Sequence, residues 1–225
     1  MSLLRRKQQT PEEQAFQQAL GEPFDREEDA AADDDPDRPA ENVAHAATDD
    51  DGRLRLDFGA LQIPAVDGMQ VRADLDDEQV VAVSVMIDGT VLQLQAFAAP
   101  RSEAVWDEVR QDIAEGIRGN QGKAREAEGP FGRELHAEIP VIDPAGATVL
   151  QPARFVGIDG DRWFLRGVVT GPGATDPARA AAVEEIFADV VVVRGSHAAP
   201  PRDPLPLRLP PDAQPSDAPP SDGAE

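Results

Sequence analysis

The sequence contains no cysteine. That excludes disulfides, thiolate metal sites and a cysteine nucleophile, and it is compatible with a reducing cytosol. Histidine is scarce: of three, only His136 lies in the segment that reads as folded. No run of about 18 apolar residues is present, so no bilayer-spanning helix and no stable membrane insertion is expected. Arg5, Arg6 and Lys7 have no apolar stretch after them, so no signal peptide is expected. Basic residues are outnumbered, 21 Lys and Arg against 43 Asp and Glu, for a net charge of −22. A field of that sign repels phosphate backbones and disfavours nucleic-acid binding, and it keeps the chain soluble. No Ser-His-Asp array, HExxH, GxSxG, GxGxxG or CxxC pattern occurs.

The apolar residues that are present are unevenly spread. Nearly all the strong runs fall between Leu54 and Val193. Residues 1–52 are rich in Asp, Glu, Ala and Gln, with Asp33–Asp35 and Asp49–Asp51 contiguous. Such a segment buries too little surface to offset its ordering entropy and reads as a disordered acidic tail. Residues 196–225, rich in proline from Pro200 onward, read as a second, polyproline-like tail. Residues 53–195 between them are long enough for one domain.

Within that domain, Met69–Leu75 alternates and Val80–Ile87 is apolar on both faces, as in a buried central strand. Asp88-Gly89 then separates it from the strand Thr90–Phe97, a strong hairpin signal. Pro100 ends the strand. Ser102 is placed to cap a helix with Glu103 in its first turn, and Val105, Val109, Ile113 and Ile117 make one apolar stripe with Trp106 beside it. Arg133–Ile142 and Thr148–Ile158 read as strands, Asp159-Gly160-Asp161 as a turn, and Arg162–Thr170 as the strand after it. Asp176-Pro177 opens a second helix lined by Val183, Ile186, Phe187 and Val190, and Val190–Arg194 closes with a short strand. Links of hairpin length predict an α+β fold: a predominantly antiparallel sheet with two helices packed on one face.

Five stretches carry a resemblance: IPAVDGMQVRADL (63–75), VLQLQAFAAPRSEAVWDEVRQDIAEGI (91–117), EAEGPFGRELHAEIPV (126–141), ARFVGIDGDRWFLRGVVTG (153–171) and IFADVVVVRG with PPRDPLPLRLP (186–210). On these, the chain resembles an actinobacterial family known only as a domain of unknown function. The resemblance implies a cytoplasmic protein and no particular chemistry. The strand order is also similar to that of PsbP-type α+β domains, an analogy of fold that transfers no function.

Several residue groups are candidates for a site. Arg154, Arg162 and Arg166 fall on neighbouring strands, and clustered arginines can clamp a carboxylate, a phosphate or a partner's acidic group. The plainer account is cross-strand pairing with Glu and Asp. Glu134, His136 and Glu138 alternate on one strand and share a face, a weak row for Zn²⁺ or Mn²⁺. The plainer account is a solvated polar face, and no metal or cofactor is expected. Gln93 and Gln95 alternate with Leu92, Leu94 and Ala96, which ordinary half-buried patterning explains. The glycine loop Gly171–Asp176 runs into a helix start, but Asp176 places a carboxylate where an anion would bind. Trp106 and Trp163 read as core.

No catalytic constellation is visible, so the expectation is a non-enzymatic binding or interaction module with a protein partner. The alternatives are a hydrolase-type enzyme using Arg154 and Arg166 with a carboxylate, and weak membrane-surface or nucleic-acid association through Arg5, Arg6 and Lys7. The oligomeric state is open.

Overall fold

The computed structural model describes residues 43–44 and 54–210, apart from 77–78, 102–103, 144 and 197–198. Its framework begins at the Asp88-Gly89 pair. With φ of 48° and 77° at those residues, the chain turns in two residues between β5 (Gln79–Ile87) and β6 (Thr90–Ala98), and Ile87 faces Thr90. β4 (Gln70–Asp76) pairs with the outer side of β5. The other half is a meander of β7 (Lys123–Gly129), β8 (Gly132–Ile142), β9 (Thr148–Gly160) and β10 (Trp163–Thr170). β10 pairs with β6, giving one seven-stranded antiparallel sheet in the order β4-β5-β6-β10-β9-β8-β7.

The β9–β10 turn lies at 161–162, later than the sequence pattern suggested. Gly160 remains in the strand opposite Trp163, because the indole occupies its side-chain space: a Cβ there would lie 1.8 Å from the ring. Arg162 consequently sits in the turn, at φ 63°, and not on β10.

Helix α1 (Trp106–Gly119) and helix α2 (Pro177–Ala188) cover opposite faces of the sheet, which corrects the expectation that both lie on one. Directly facing residues of an antiparallel pair point to the same side. Gly157 faces Arg166, and Gly167 faces Val156, one step along. A Cβ at Gly157 would strike Trp106 of α1 at 2.5 Å, and one at Gly167 would strike Phe187 of α2 at 2.8 Å. The physical reason is the composition of β10, buried along nearly its whole length. A strand apolar on both sides needs cover on both. The stripe Val109, Ile113 and Ile117 packs with Leu135, Ile139, Phe155 and Phe164. On the other side, Val183, Ile186 and Phe187 pack with Val85, Leu92, Leu94, Val156 and Leu165.

The predicted Asp176 cap is present: its carboxylate accepts from the Ala178 N–H at 3.0 Å. The predicted Ser102 cap, with Glu103, lies outside the described residues. α1 takes its cap from a distant strand instead, since the Asp159 carboxylate accepts from the N–H groups of Val105 (2.8 Å) and Trp106 (3.2 Å).

The strand expected at Val190–Arg194 forms as β11 (Val191–Val193), but in a second sheet. That sheet runs β1 (Val43–Ala44), β11, β3 (Leu61–Pro64), β2 (Arg55–Asp57). β1 falls within the segment expected to be an acidic tail, and its backbone pairs with β11. The rest of residues 1–52 lies outside the described residues.

The expected domain boundary at 195 also moves. Pairing between β5 and β6 stops at Val83 opposite Leu94, which frees the backbone of 96–98. Residues 202–208 take up those groups. Leu205 N–H donates to the Ala96 carbonyl (2.8 Å), Arg202 N–H to the Ala98 carbonyl (2.7 Å), and Ala98 N–H to the Asp203 carbonyl (2.8 Å). Prolines lack the donor that this irregular pairing does not need, and Leu205, 3% exposed, is drawn into the core. The Pro-rich stretch is thus a strap on the domain as far as residue 210, and 211–225 lies outside the described residues.

Candidate functional site

Arg110, Arg154, Arg166 and Arg194 are buried, and a buried guanidinium needs a counter-charge. Arg110, 1% exposed, holds Asp107 (2.6 Å) and Glu126 (3.1 Å). Arg154, 5% exposed, forks onto Glu134 (3.1 and 2.9 Å) and also holds Glu184 of α2 (2.8 Å). For both, burial pulls the pKa down, but the paired carboxylates outweigh it and the net direction is up. Arg194 donates to the Arg162 carbonyl (3.0 Å).

Arg166 differs. Among the described residues it pairs with no carboxylate. One Nη donates to the Gln95 side-chain oxygen, the guanidinium lies 5.1 Å from the Phe97 ring centre, and Nε is buried without a partner. Burial alone pushes its pKa down to about 10.

Arg166 belongs to a polar row across four adjacent strands on the α1 side of the sheet. Arg166 faces Gln95, Gln93 faces Ser84, and Asp74 faces Ala82. Asp74 accepts from Ser84 Oγ (2.8 Å) and Gln93 Nε2 (3.0 Å) through one carboxylate oxygen, and from Arg72 Nε (3.0 Å) through the other. Gln95 Nε2 donates to the Val81 carbonyl (3.3 Å). These acceptor-only partners fix both amides. Gln95 must turn its oxygen to Arg166. Gln93 must turn its oxygen away from Asp74, and that atom is buried without a partner. The row therefore ends in one unused acceptor, Gln93 Oε1, and one unused donor, Arg166 Nε, on diagonal neighbours of β6 and β10.

The arginine trio is not a cluster. Arg154 faces Val169 and Arg166 faces Gly157. Their odd offset puts them on opposite faces of the sheet, and Arg162 is in the turn. Of the two strand arginines, Arg154 is paired with carboxylates and Arg166 is not, among the described residues. The hydrolase-type alternative required Arg154 and Arg166 to converge, and the strand register separates them.

Glu134, His136 and Glu138 do share one face of β8, but cations already hold them. Arg154 takes both oxygens of Glu134. Lys123 takes Glu138 (2.7 Å). His136 sits between Glu134 and Arg125. Among the described residues no three such side chains gather as a metal site.

Gly171–Ala174 form a 3₁₀ turn, with Asp176 occupied at the start of α2. Both tryptophans are buried, and Trp106 Nε1 donates to the Arg133 carbonyl (2.6 Å). A separate open cleft of about 420 Å³ is lined by Trp106, Phe131, Gly157, Ile158, Asp159 and Ala188. Burial raises the Asp159 pKa, against the lowering effect of the N–H groups it caps.

Sequence reasoning placed Gln93 and Gln95 on the polar face of a half-buried strand and passed over Asp74 and Ser84. The available signal was Ser84, the lone polar residue in VVAVSVMI. Counting back from the Asp88-Gly89 turn sets it opposite Gln93.

No helix among the described residues is long and apolar enough to cross a membrane. A family model described as "Protein of unknown function (DUF3710)" matches residues 37–216. No curated protein matches the chain. Among solved structures, the chain is similar to the solution structure of cyanobacterial PsbP (CyanoP) from Synechocystis sp. PCC 6803. That likeness has 11% identity and a TM-score of 0.34, and covers 62% of this chain and 91% of that one. At that distance it bears on neither site nor activity.

Proposed function

Because the chain belongs to the family of proteins of unknown function (DUF3710), which assigns no chemistry, we propose from the site alone that it is a non-enzymatic binding module whose Arg166 receives an anionic group. One observation carries this reading. In a chain with 43 acidic residues, Arg110 and Arg154 each hold two carboxylates, whereas Arg166, equally buried, holds none among the described residues. A guanidinium kept charged away from water is strongly attracted to an anion that reaches it. Phe97 and Gln95 fix its plane, so the site is set before the anion arrives. Asp74 keeps the far end of the row acidic, which favours one anionic group at the Arg166 end over a polyanion along the row.

The anion fits a protein partner's carboxylate, and the reading includes a cytoplasmic setting, with which a cysteine-free chain is compatible. The test is a titration of the full chain with acetate, propionate, phosphate and sulfate, followed by NMR of the Gln93 and Gln95 side-chain amides. At least one anion should shift both amides saturably, and Arg166→Met should abolish the shift while leaving the fold intact. Unmoved amides at tens of millimolar of every anion reject the proposal.

A further inference from the structure

The unused hydrogen-bonding atoms of the row say more about the occupant than its charge. Arg166 Nε is a donor and wants an acceptor. Gln93 Oε1 is an acceptor and wants a donor, because Asp74 can only accept and so holds the amide nitrogen of Gln93. The two residues are diagonal neighbours on one face, about 7 Å apart along the backbone. A simple anion such as acetate or sulfate satisfies only the arginine. It leaves the Gln93 oxygen buried and unpaired, which is the costly arrangement for a polar atom. An occupant that satisfies both must carry its negative oxygens and an N–H or O–H donor within a few ångströms of each other.

We infer that the group bound at Arg166 is an α-carboxylate flanked by an N–H donor, with the carboxylate on Arg166 and the N–H on Gln93 Oε1. This inference rests on the proposed function. The same chemistry occurs in a free N-acylated amino acid and at the C-terminal residue of a polypeptide. Arg166 and Gln93 are 7% and 8% exposed while Nε and Oε1 themselves are buried, so the side chains must part to admit the occupant, which suits the thin end of a molecule. A bulky or branched group beside the carboxylate is disfavoured for the same reason. Asp74, already shared by Ser84, Gln93 and Arg72, holds the acceptor in position and does not touch the occupant.

The experiment compares four probes against the full chain by NMR titration: propionate, N-acetylglycine, N-acetylglycine methyl ester, and a tetrapeptide ending in glycine with a free carboxylate. N-acetylglycine should bind about tenfold more tightly than propionate, the effect of one added hydrogen bond to a buried acceptor, and the ester should not bind. Gln93→Met should remove that tenfold preference. Tetrapeptide binding matching that of N-acetylglycine assigns the site to a polypeptide C-terminus. Binding of N-acetylglycine alone assigns it to a small molecule. Both results support the shared chemistry. Equal affinity for propionate and N-acetylglycine overturns this inference and leaves the anion reading standing. If neither binds, this inference falls, and the anion reading then stands or falls on the phosphate and sulfate titrations. Should Gln93→Met fail to fold, the probe comparison on the unaltered chain still decides.

Discussion

Replacing Arg166 and Arg154 by methionine, one at a time, should give opposite results although both side chains are buried in the same sheet. Methionine keeps much of the arginine stem's volume and removes the charge. Arg154→Met strands Glu134 and Glu184, which now share Arg154 at 2.9 and 2.8 Å. Breaking a buried ion pair from one side costs roughly 3–5 kcal/mol, because the surviving charges stay desolvated. Arg166→Met strands no carboxylate. It loses the bond to Gln95 and the stacking on Phe97, roughly 1–3 kcal/mol together. Against that, burial depresses the pKa to about 10, which means the charged form is disfavoured by about 3 kcal/mol, a penalty the substitution removes. The two effects nearly cancel, and Arg166→Met should lie within about 1 kcal/mol of the parent or above it. Urea unfolding followed by far-ultraviolet circular dichroism measures both, with the slope m checked for constancy. The sign with pH is also set. A cation with a lowered folded-state pKa destabilises the fold while it is charged, and the penalty is relieved as pH rises above about 10 toward the ordinary guanidinium range. A loss of about 3 kcal/mol or more in Arg166→Met, matching Arg154→Met, would mean that Arg166 is a structural strut and would refute the reasoning behind the site.

Asp159→Ala removes the only side-chain cap seen on α1 among the described residues and should cost about 1 kcal/mol in urea unfolding. Asn should recover part of that, and a silent Ala variant contradicts the tertiary cap. Leu205→Ala should cost about 2–4 kcal/mol, since Leu205 is a core residue of the strap. A surface-like effect below 0.5 kcal/mol would return 196–210 to the status of a tail. The Asp57 pKa is lowered chiefly by the Gly59 N–H, with Arg208 of the strap adding to it. A carboxylate with a depressed folded-state pKa stabilises the fold above 3.8, and loses that contribution as pH falls through the folded value. Asp57→Asn should therefore flatten the acid limb of the stability curve below pH about 4, and an unchanged limb rules the contact unimportant.

Local features of the sequence were enough for the parts of the fold that act locally. Asp88-Gly89 fixed a two-residue turn and, through it, the register that sets Ser84 against Gln93. Asp176-Pro177 fixed the start of α2, and the Val109, Ile113, Ile117 stripe fixed the buried side of α1. Alternation and turns at hairpin spacing were enough for a mainly antiparallel α+β chain. The edge strand β7 escaped because KAREAEG is charged and small-sided, which suits an unpaired edge and gives no apolar period to detect.

What the sequence could not determine depends on pairing between segments far apart in the chain. The β6–β10 register, Gln95 against Arg166, joins two hairpins with no turn between them, so no local rule counts across it. The β9–β10 register, set by a turn later than the Asp159-Gly160-Asp161 pattern suggests, sends Arg154 and Arg166 to opposite faces, and the burial of β10 on both sides divides the helices between them. The Pro-rich strap reads as a tail for a related reason: its value lies in filling backbone groups that β6 leaves open, a vacancy that exists only after the sheet has formed. Side-chain period is a property of one strand, whereas burial and charge balance belong to the pair, and only the tertiary structure decides the pair.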